Sequence, residues 1–257
     1  MLKNERLIIR CLTALPFGLL FVAFTFNHGC AYVENGLLLV FGGMSSAELP
    51  SLFQIVLQGV LTFPPLIIFG AMLPRDLNRA AVFIFPRATS RMYWYVKKLS
   101  VVVLGALGYY LTLLFTYVGI LRFIGIPALN VKTLSWTIIS IVAAAILNHV
   151  VFIVIANIIS LRISQNYALL LLWVVSFPGQ IIVNNVLNIT WLQVFYPSSQ
   201  AVLSLHDIPV LKATQENYFE SSIPHFTVGV STIYNLLLFT AFVLIGARMV
   251  RVKNLTV

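Results

Sequence analysis

The chain has 257 residues, of which 60% are hydrophobic and only 9% charged, and its mean hydropathy is +0.97. A soluble domain of this length carries roughly 25% charged residues and cannot bury so much apolar surface in one core. Lipid can surround such a surface. These values exclude an ordinary soluble domain. They predict an all-α, polytopic membrane protein with a single transmembrane domain over residues 1–257.

Six segments have the length and apolarity expected of a membrane-spanning helix, which needs about 20 residues. The first is the shortest, and the basic residues before it make it similar to a signal peptide. No small-x-small cleavage site follows it, so we expect an uncleaved first span. The predicted spans cover residues 11–26, 51–73, 99–121, 135–160, 166–187 and 227–247.

The basic residues are divided unequally between the two sides of these spans. Thirteen of the 16 lie on the side that includes both termini, whereas Arg122, Lys132 and Lys212 lie on the other. Basic residues collect on the cytoplasmic side of membrane proteins. The pattern predicts a cell-membrane protein with both termini in the cytoplasm. It also accounts for the net charge of +9 without a nucleic-acid partner.

The loop at 74–98 is basic and rich in aromatic residues, and it contains a helix signature near its end. Pro86 interrupts the chain, and Thr89 or Ser90 can then cap a helix that continues through Arg91 to the aromatic residues after it. One interpretation is a solvated basic loop that only sets the topology. The apolar stretch at 81–85 favours an amphipathic cytoplasmic elbow packed across the base of the spans.

This pattern, from Pro86 to Arg91 and then Trp94 and Lys97-Lys98, resembles the coupling region of type-2 ABC exporter permeases. The resemblance implies six spans, an amphipathic helix before the first span at 2–10, and a cytoplasmic coupling helix between the second and third spans. That coupling helix would dock on a separate ATPase subunit. The residues expected to couple to the ATPase are Arg87, Thr89, Ser90, Arg91, Tyr93, Trp94 and Lys97.

The resemblance also implies the partners of the chain. The sequence contains no Gly-x-x-x-x-Gly-Lys-Ser/Thr loop, so ATP and Mg²⁺ are expected on the partner ATPase and no cofactor on this chain. The chain is expected to be a transport subunit rather than an enzyme, with no catalytic or metal-binding residues. A second copy, or a homologous permease subunit, would complete the transporter within the lipid bilayer.

Amide side chains repeat at intervals of four in two of the predicted spans. Prolines lie in the same two spans, at Pro64-Pro65 and Pro178-Gly179, and predict kinks or unwound turns. The resemblance implies that these spans, the second and fifth, line the substrate path and form the dimer interface. The alternative is hydrogen bonding between helices. The candidate path residues are Gln54, Gln58, Gln180, Asn184, Asn185 and Asn188.

All seven acidic residues lie outside the predicted spans, so His149 in the fourth span has no evident proton-relay partner. Ion-coupled carriers usually need an acid within the membrane. This absence favours energy supplied from outside the chain. The residues expected along the path are apolar, aromatic and amide-bearing, which suits a hydrophobic or amphipathic cargo, such as a peptide. The resembled permeases often handle antimicrobial peptides. The alternative is a membrane protein outside the ABC class, either an ion-coupled carrier or a scaffold or enzyme.

Overall fold

The structure is a computed structural model that describes residues 2–27, 29–43, 51–83 and 91–252. The chain is all-helical, with 82% of it in helices, and no described residue lies in a strand. The first half contains six helices. They are α1 (Leu2–Leu12), α2 (Ala14–Asn27), α3 (Val33–Phe41), α4 (Leu52–Phe69), α5 (Met72–Phe83) and α6 (Arg91–Phe123).

In the second half, a polar segment of short helices separates α7–α9 from the long helix α13. The α-helices are α7 (Val131–Ser140), α8 (Leu147–Ile159), α9 (Gln165–Ser176), α10 (Pro178–Ile181), α11 (Thr190–Phe195), α12 (Pro209–Lys212) and α13 (Val228–Val252). Two π-helical turns, Ile141–Ile146 and Ile182–Leu187, continue α7 into α8 and extend α10. Short 3₁₀ turns occupy Pro197–Ala201, Leu203–Leu205 and Glu216–Phe219.

Within the described ranges, six helical segments are long and apolar enough to cross a membrane, which confirms the predicted number of spans. Some of these helices extend past the apolar run and begin or end at an arginine. The helix keeps its backbone hydrogen-bonded there, and the long basic side chain can reach the membrane–water interface. The six segments are Arg6–Phe26, Gln54–Leu77, Arg91–Phe123, Val131–Ile159, Gln165–Leu187 and Val228–Arg251.

The first span combines α1 and α2. Both helices pack along α6 in the same direction, because the Leu7 side chain lies against Gly105 and Gly18 lies against Thr116. A helix is present where the sequence predicts one at 2–10, but it is not separate from the first span, because the span-length segment begins at Arg6 within α1. Arg10 donates a hydrogen bond to the sulfur of Met72, so this start lies beside α5.

The centre of the bundle is α8. It packs against α4, α5, α6, α9 and α13, and 67% of the fourth span is buried, compared with 11% of the sixth. A helix that is apolar on every side is suited to such a central position. Three fully buried tyrosines of α6 (Tyr109, Tyr110 and Tyr117) pack with α8 and its neighbours in the same core.

The two proline-containing spans behave differently. In the fifth, the helix is interrupted at Phe177 and resumes at Pro178, as predicted. In the second, α4 continues through Pro64 and Pro65 to Phe69, so the unwound turn, one of the two predicted alternatives, is not present there. Pro65 leaves the Leu61 carbonyl without its helical N–H donor. The Tyr110 hydroxyl donates to that carbonyl at 3.4 Å and compensates for the loss.

Candidate functional site

Consecutive spans alternate in direction, so the bundle has two distinct ends. One end, here called the basic end, carries the ends of α5, α8 and α13 and the start of α6. Residues 72–83 and 91–99, the described parts of α5 and of the base of α6, are here called the α5–α6 turn. Its described basic residues include Arg75, Arg91, Lys97, Lys98, Arg162, Arg248 and Arg251. The opposite end, here called the cap end, carries α3 and residues 188–227, which are here called the cap segment.

At the basic end, α5 leaves the second span at a break that a buried amide stabilises. Asn157 of α8 is fully buried and donates to the Phe69 carbonyl at 2.8 Å, while its oxygen accepts from the Leu73 N–H at 2.8 Å. These are backbone groups that lose their helical partners where α4 ends and α5 begins. One side chain therefore connects the fourth span to the start of the α5–α6 turn.

The two ends of the α5–α6 turn are also held together directly. Asp76 of α5 forms an ion pair with Lys98 of α6. An apolar cluster lies at the same end of the bundle. Its buried members are Leu73, Leu77, Trp94, Tyr95, Leu99, Val154, Ile158, Leu161 and Val250. The base of α6 is thus packed against α5, α8 and α13 at once.

Four of the predicted ATPase-coupling residues lie in the described part of α6. Arg91, Tyr93 and Lys97 are exposed, and Tyr93 has 68% of its surface accessible. Trp94 is only 7% exposed and belongs to the apolar cluster, so its ring packs inside the chain. Trp94 would therefore contribute to a docking surface indirectly, because its packing holds α6 in position. Arg87, Thr89 and Ser90 lie outside the described residues.

Tyr95 fixes the base of α6 against the sixth span. Its side chain is fully buried, and its hydroxyl donates to the Val243 carbonyl at 2.9 Å. At Gly246, an added Cβ would lie 2.4 Å from the Tyr95 hydroxyl oxygen. The close approach of α6 and α13 at this level therefore requires the glycine.

The amides of the second span have structural hydrogen bonds. Gln54 forms a capping box with Ser51 at the start of α4, in which the Ser51 N–H donates to Gln54 Oε1 at 3.0 Å. Gln58 is buried and donates to the Val40 carbonyl of α3 at 3.3 Å. These contacts match the helix–helix bonding that the sequence left open as an alternative to a substrate path.

The amides of the fifth span do not form one face. Gln180 and Asn184 are buried, Asn185 is partly exposed, and Asn188 is exposed in the left-handed conformation with φ of 48°. The π-helical turn at 182–187 has more residues per turn than an α-helix, so a spacing of four no longer keeps side chains aligned. Asn188 Oδ1 accepts from Gln193 Nε2 at 2.9 Å.

A buried polar cluster at the cap end connects the cap segment to the spans. The Ser199 hydroxyl donates to Asn184 Oδ1 at 2.7 Å, and Asn148 Nδ2 donates to the Pro197 carbonyl at 2.8 Å and to Asn235 Oδ1 at 2.9 Å. The fourth, fifth and sixth spans are therefore all hydrogen-bonded to one another or to the cap segment.

His206 lies at the centre of the cap segment. It is fully buried, stacks on Phe226, and places Nδ1 2.8 Å from the Val202 carbonyl and Nε2 2.6 Å from the Ser231 hydroxyl. The Ser231 hydroxyl oxygen also lies 2.8 Å from Gln200 Oε1. Burial lowers the pKa of His206 to about 4, although its hydrogen bond to Val202 acts in the opposite direction. The imidazole is therefore neutral at pH 7.

An apolar groove of about 390 Å³ lies between the second and fifth spans. Phe63 and Trp173 form an edge-to-face pair across it, with ring centroids 6.0 Å apart. A Cβ added at Gly59 would meet nothing within 4 Å, so the groove floor is open. The remaining lining residues are Val56, Val60, Pro64 and Leu170.

No family model matches the chain, and no curated protein or solved structure matches it either. Among the described residues, no group of three or more His, Cys, Asp or Glu side chains is placed to hold a metal ion. Cys11 and Cys30 are free thiols. The geometry that bears on function is therefore that of the α5–α6 turn, the groove and the polar cluster.

The cap segment and Asn157 are the features that the sequence did not identify. Gln193, Ser199 and Gln200 of the cap segment are polar, yet they are buried. Asn157 stands within a run of apolar residues, which was the available signal, because an amide in such a run needs a partner. The sequence contains nothing that identifies Phe69 and Leu73 as that partner.

Proposed function

We propose that the chain is the membrane-spanning permease subunit of an ATP-driven ABC exporter, which forms the substrate path and couples to a separate ATPase. The observation that carries the proposal is the α5–α6 turn. Helix α5 follows the proline-containing α4 after a break that Asn157 stabilises. The first turns of α6 then expose Arg91, Tyr93 and Lys97. In this proposal, the basic end and both termini face the cytoplasm of a cell membrane.

The packing of this turn suits the transmission of force. Asp76, Lys98 and the apolar cluster join α5 to α6, Asn157 joins α5 to α8, and Tyr95 joins α6 to α13. A displacement of the exposed face of α6 would therefore reach the second, fourth and sixth spans through contacts that are already made. Such packed elements move as units rather than deforming gradually.

A second permease subunit, identical or homologous, would pack at the groove between the second and fifth spans. The groove is lined by apolar residues and open at Gly59, and large side chains around it, such as Val56 and Leu170, are exposed. Small residues in membrane helices permit close approach of a neighbouring helix. A hydrophobic or amphipathic cargo, such as a peptide, suits a path between such surfaces.

The docking proposal is tested with the exposed face of α6. The triple variant R91E/Y93A/K97E removes the three exposed coupling residues and leaves the buried Trp94 and Tyr95 intact. Purified with its ABC ATPase and reconstituted in vesicles, it is expected to lose ATPase association and ATP-dependent cargo flux by at least about tenfold. The matched control R162E changes an exposed arginine at the same end and is expected to retain both.

Three results would contradict the proposal. Association and flux that survive in the triple variant would exclude docking on α6. A flux that ignores ATP and collapses with an uncoupler would indicate an ion-coupled carrier. Full activity of the isolated chain without an ATPase would indicate a scaffold or enzyme outside the ABC class.

The second subunit is tested by cysteine cross-linking in a background where Cys11 and Cys30 are replaced by alanine. L170C beside the groove is expected to form an intersubunit disulfide, with itself or with a homologous permease that carries the matching cysteine. L237C on α13, which is 67% exposed, is the control and is expected to stay monomeric. Equal cross-linking at both positions would remove the groove from the proposed interface.

A further inference from the structure

A second cavity lies at the basic end, between the first turn of α6 and the last turns of α13. Its volume is about 360 Å³. Arg91 and Met92 line it from α6, and Ala247, Val250 and Arg251 line it from α13. Neither the candidate path residues nor the groove between the second and fifth spans belongs to it.

The walls of this cavity combine positively charged and apolar side chains. Arginine side chains stand on it from both helices, and Met92, Ala247 and Val250 supply apolar surface between them. A guanidinium group matches the geometry of phosphate oxygens and can bind them through two parallel hydrogen bonds. A ligand that fits both kinds of wall therefore carries a phosphate next to an apolar portion.

The charge around the cavity is positive. Arg251 is exposed and makes no ion pair with any residue whose side chain the structure describes, and Arg248 is exposed one turn earlier on α13. At this end, the acidic side chain that the structure describes is that of Asp76, and it is engaged by Lys98. Among the described side chains, an anion that enters the cavity would meet more basic than acidic groups.

The helix that forms one wall of the cavity is also the most exposed span of the bundle. Only 11% of the sixth span is buried, and Leu244 and Ile245, just before the cavity, are 65% and 47% exposed. In a membrane, these side chains contact lipid acyl chains directly. The cavity therefore opens where the lipid-facing surface of α13 meets the basic end of the bundle.

We propose that this cavity binds the phosphate headgroup of an anionic phospholipid, with Arg91 and Arg251 on the phosphate and the acyl chains along α13. The apolar wall and its continuity with the exposed face of α13 favour a lipid over a free phosphate ion. The site shares Arg91 with the proposed ATPase-docking face, but it does not rest on the transport function, because it requires only the described ends of α6 and α13.

The test measures binding of short-chain phosphatidylglycerol to the purified full chain by native mass spectrometry. R251Q is expected to weaken this binding by about tenfold, as for the loss of one charge-assisted contact. A247F keeps every charge but fills the apolar wall, and we expect a similar loss. The matched control R248Q removes the same charge from the same helix outside the cavity and is expected to bind within about twofold of the unchanged protein.

The ligand controls decide between the sources of the phosphate. Short-chain phosphatidylcholine and glycerol phosphate are both expected to bind at least about tenfold more weakly than phosphatidylglycerol. Equal losses of phosphatidylglycerol binding in R248Q and R251Q would show that diffuse surface charge, and not this cavity, binds the lipid. Unchanged binding in A247F would also overturn the proposal. Glycerol phosphate binding as tightly as the lipid would also overturn it. Thermal unfolding in zwitterionic lipid checks that each variant is folded.

Discussion

At the cap end, the chain is held by buried, uncharged hydrogen bonds between the cap segment and three spans, whereas at the basic end charged side chains surround an apolar cluster. His206, Ser231 and Gln200 are fully buried, but Arg91, Lys97 and Arg251 are exposed. A buried polar network specifies one arrangement, because breaking it leaves unpaired groups in a low-dielectric interior. The exposed charges of the basic end cost little to rearrange, which suits a surface that binds and releases a partner.

Asn157 is an exception within the basic end, because there a buried amide braces the break between α4 and α5. N157L would leave the Phe69 carbonyl and the Leu73 N–H without their partner. We expect the free energy of unfolding to fall by about 3 kcal/mol. Denaturation of the protein in detergent measures the loss. N166L, at an exposed asparagine of α9, is the matched control, and an equal effect of the two changes would show that the brace is unimportant.

The cap end is expected to weaken in acid through His206. Its pKa in the folded chain is about 4, whereas its ordinary value is 6.5, so the unfolded chain binds the proton more readily. Stability is complete above about pH 6.5 and is lost as the pH falls toward 4, by about 2 kcal/mol between pH 7 and pH 5.

Thermal unfolding between pH 7 and pH 5 measures this loss. In H206Q, the part of the pH dependence that His206 contributes is expected to disappear. H225Q changes an exposed histidine of the same segment and is expected to leave the pH dependence unchanged. A full pH dependence in H206Q would contradict the assignment to His206.

A smaller effect is expected from the contact between the cap segment and α3. The Tyr218 hydroxyl donates to the Gly42 carbonyl at 2.7 Å, and this carbonyl also accepts from the Leu203 N–H. Y218F removes one of the two donors, and we expect a loss of about 1 kcal/mol in the free energy of unfolding. The control Y167F removes the hydroxyl of a tyrosine that is 69% exposed. A loss in the control as large as that in Y218F would contradict the prediction.

The smallest effect is expected at the ion pair of Asp76 and Lys98. Both side chains are partly exposed, so solvent screens their attraction and D76N is expected to cost about 0.5 kcal/mol or less. The loss should shrink further at high salt. D207N, at a half-exposed acid of the cap segment, is the comparison. A loss in D76N above about 2 kcal/mol would show that the basic end depends on charge more than its exposure indicates.

The sequence predicts the spans well and their polar partners poorly. An apolar run near 20 residues long has few alternatives to a membrane helix, which is why all six were recognised. The sequence did not show that Pro64-Pro65 would stay helical, because the compensating donor, Tyr110, lies on another helix. Trp94 was expected to couple to the ATPase because it belongs to the pattern that resembles the coupling region, yet its ring lies in the buried apolar cluster with Leu73 and Leu77.

Composition and order along the chain were sufficient to predict the number of span-length helices, their alternating direction and the accumulation of basic residues at one end, because each follows from the solvent that a segment requires. Only the tertiary structure decided that residues 188–227 fold into a cap with a buried polar cluster. The same is true of the hydrogen bonds by which Asn157 stabilises the second span and of the cavity that Arg91 and Arg251 share. These features depend on pairs of residues far apart in sequence. A polar side chain shows in sequence that it needs a partner, and folding determines which one it has.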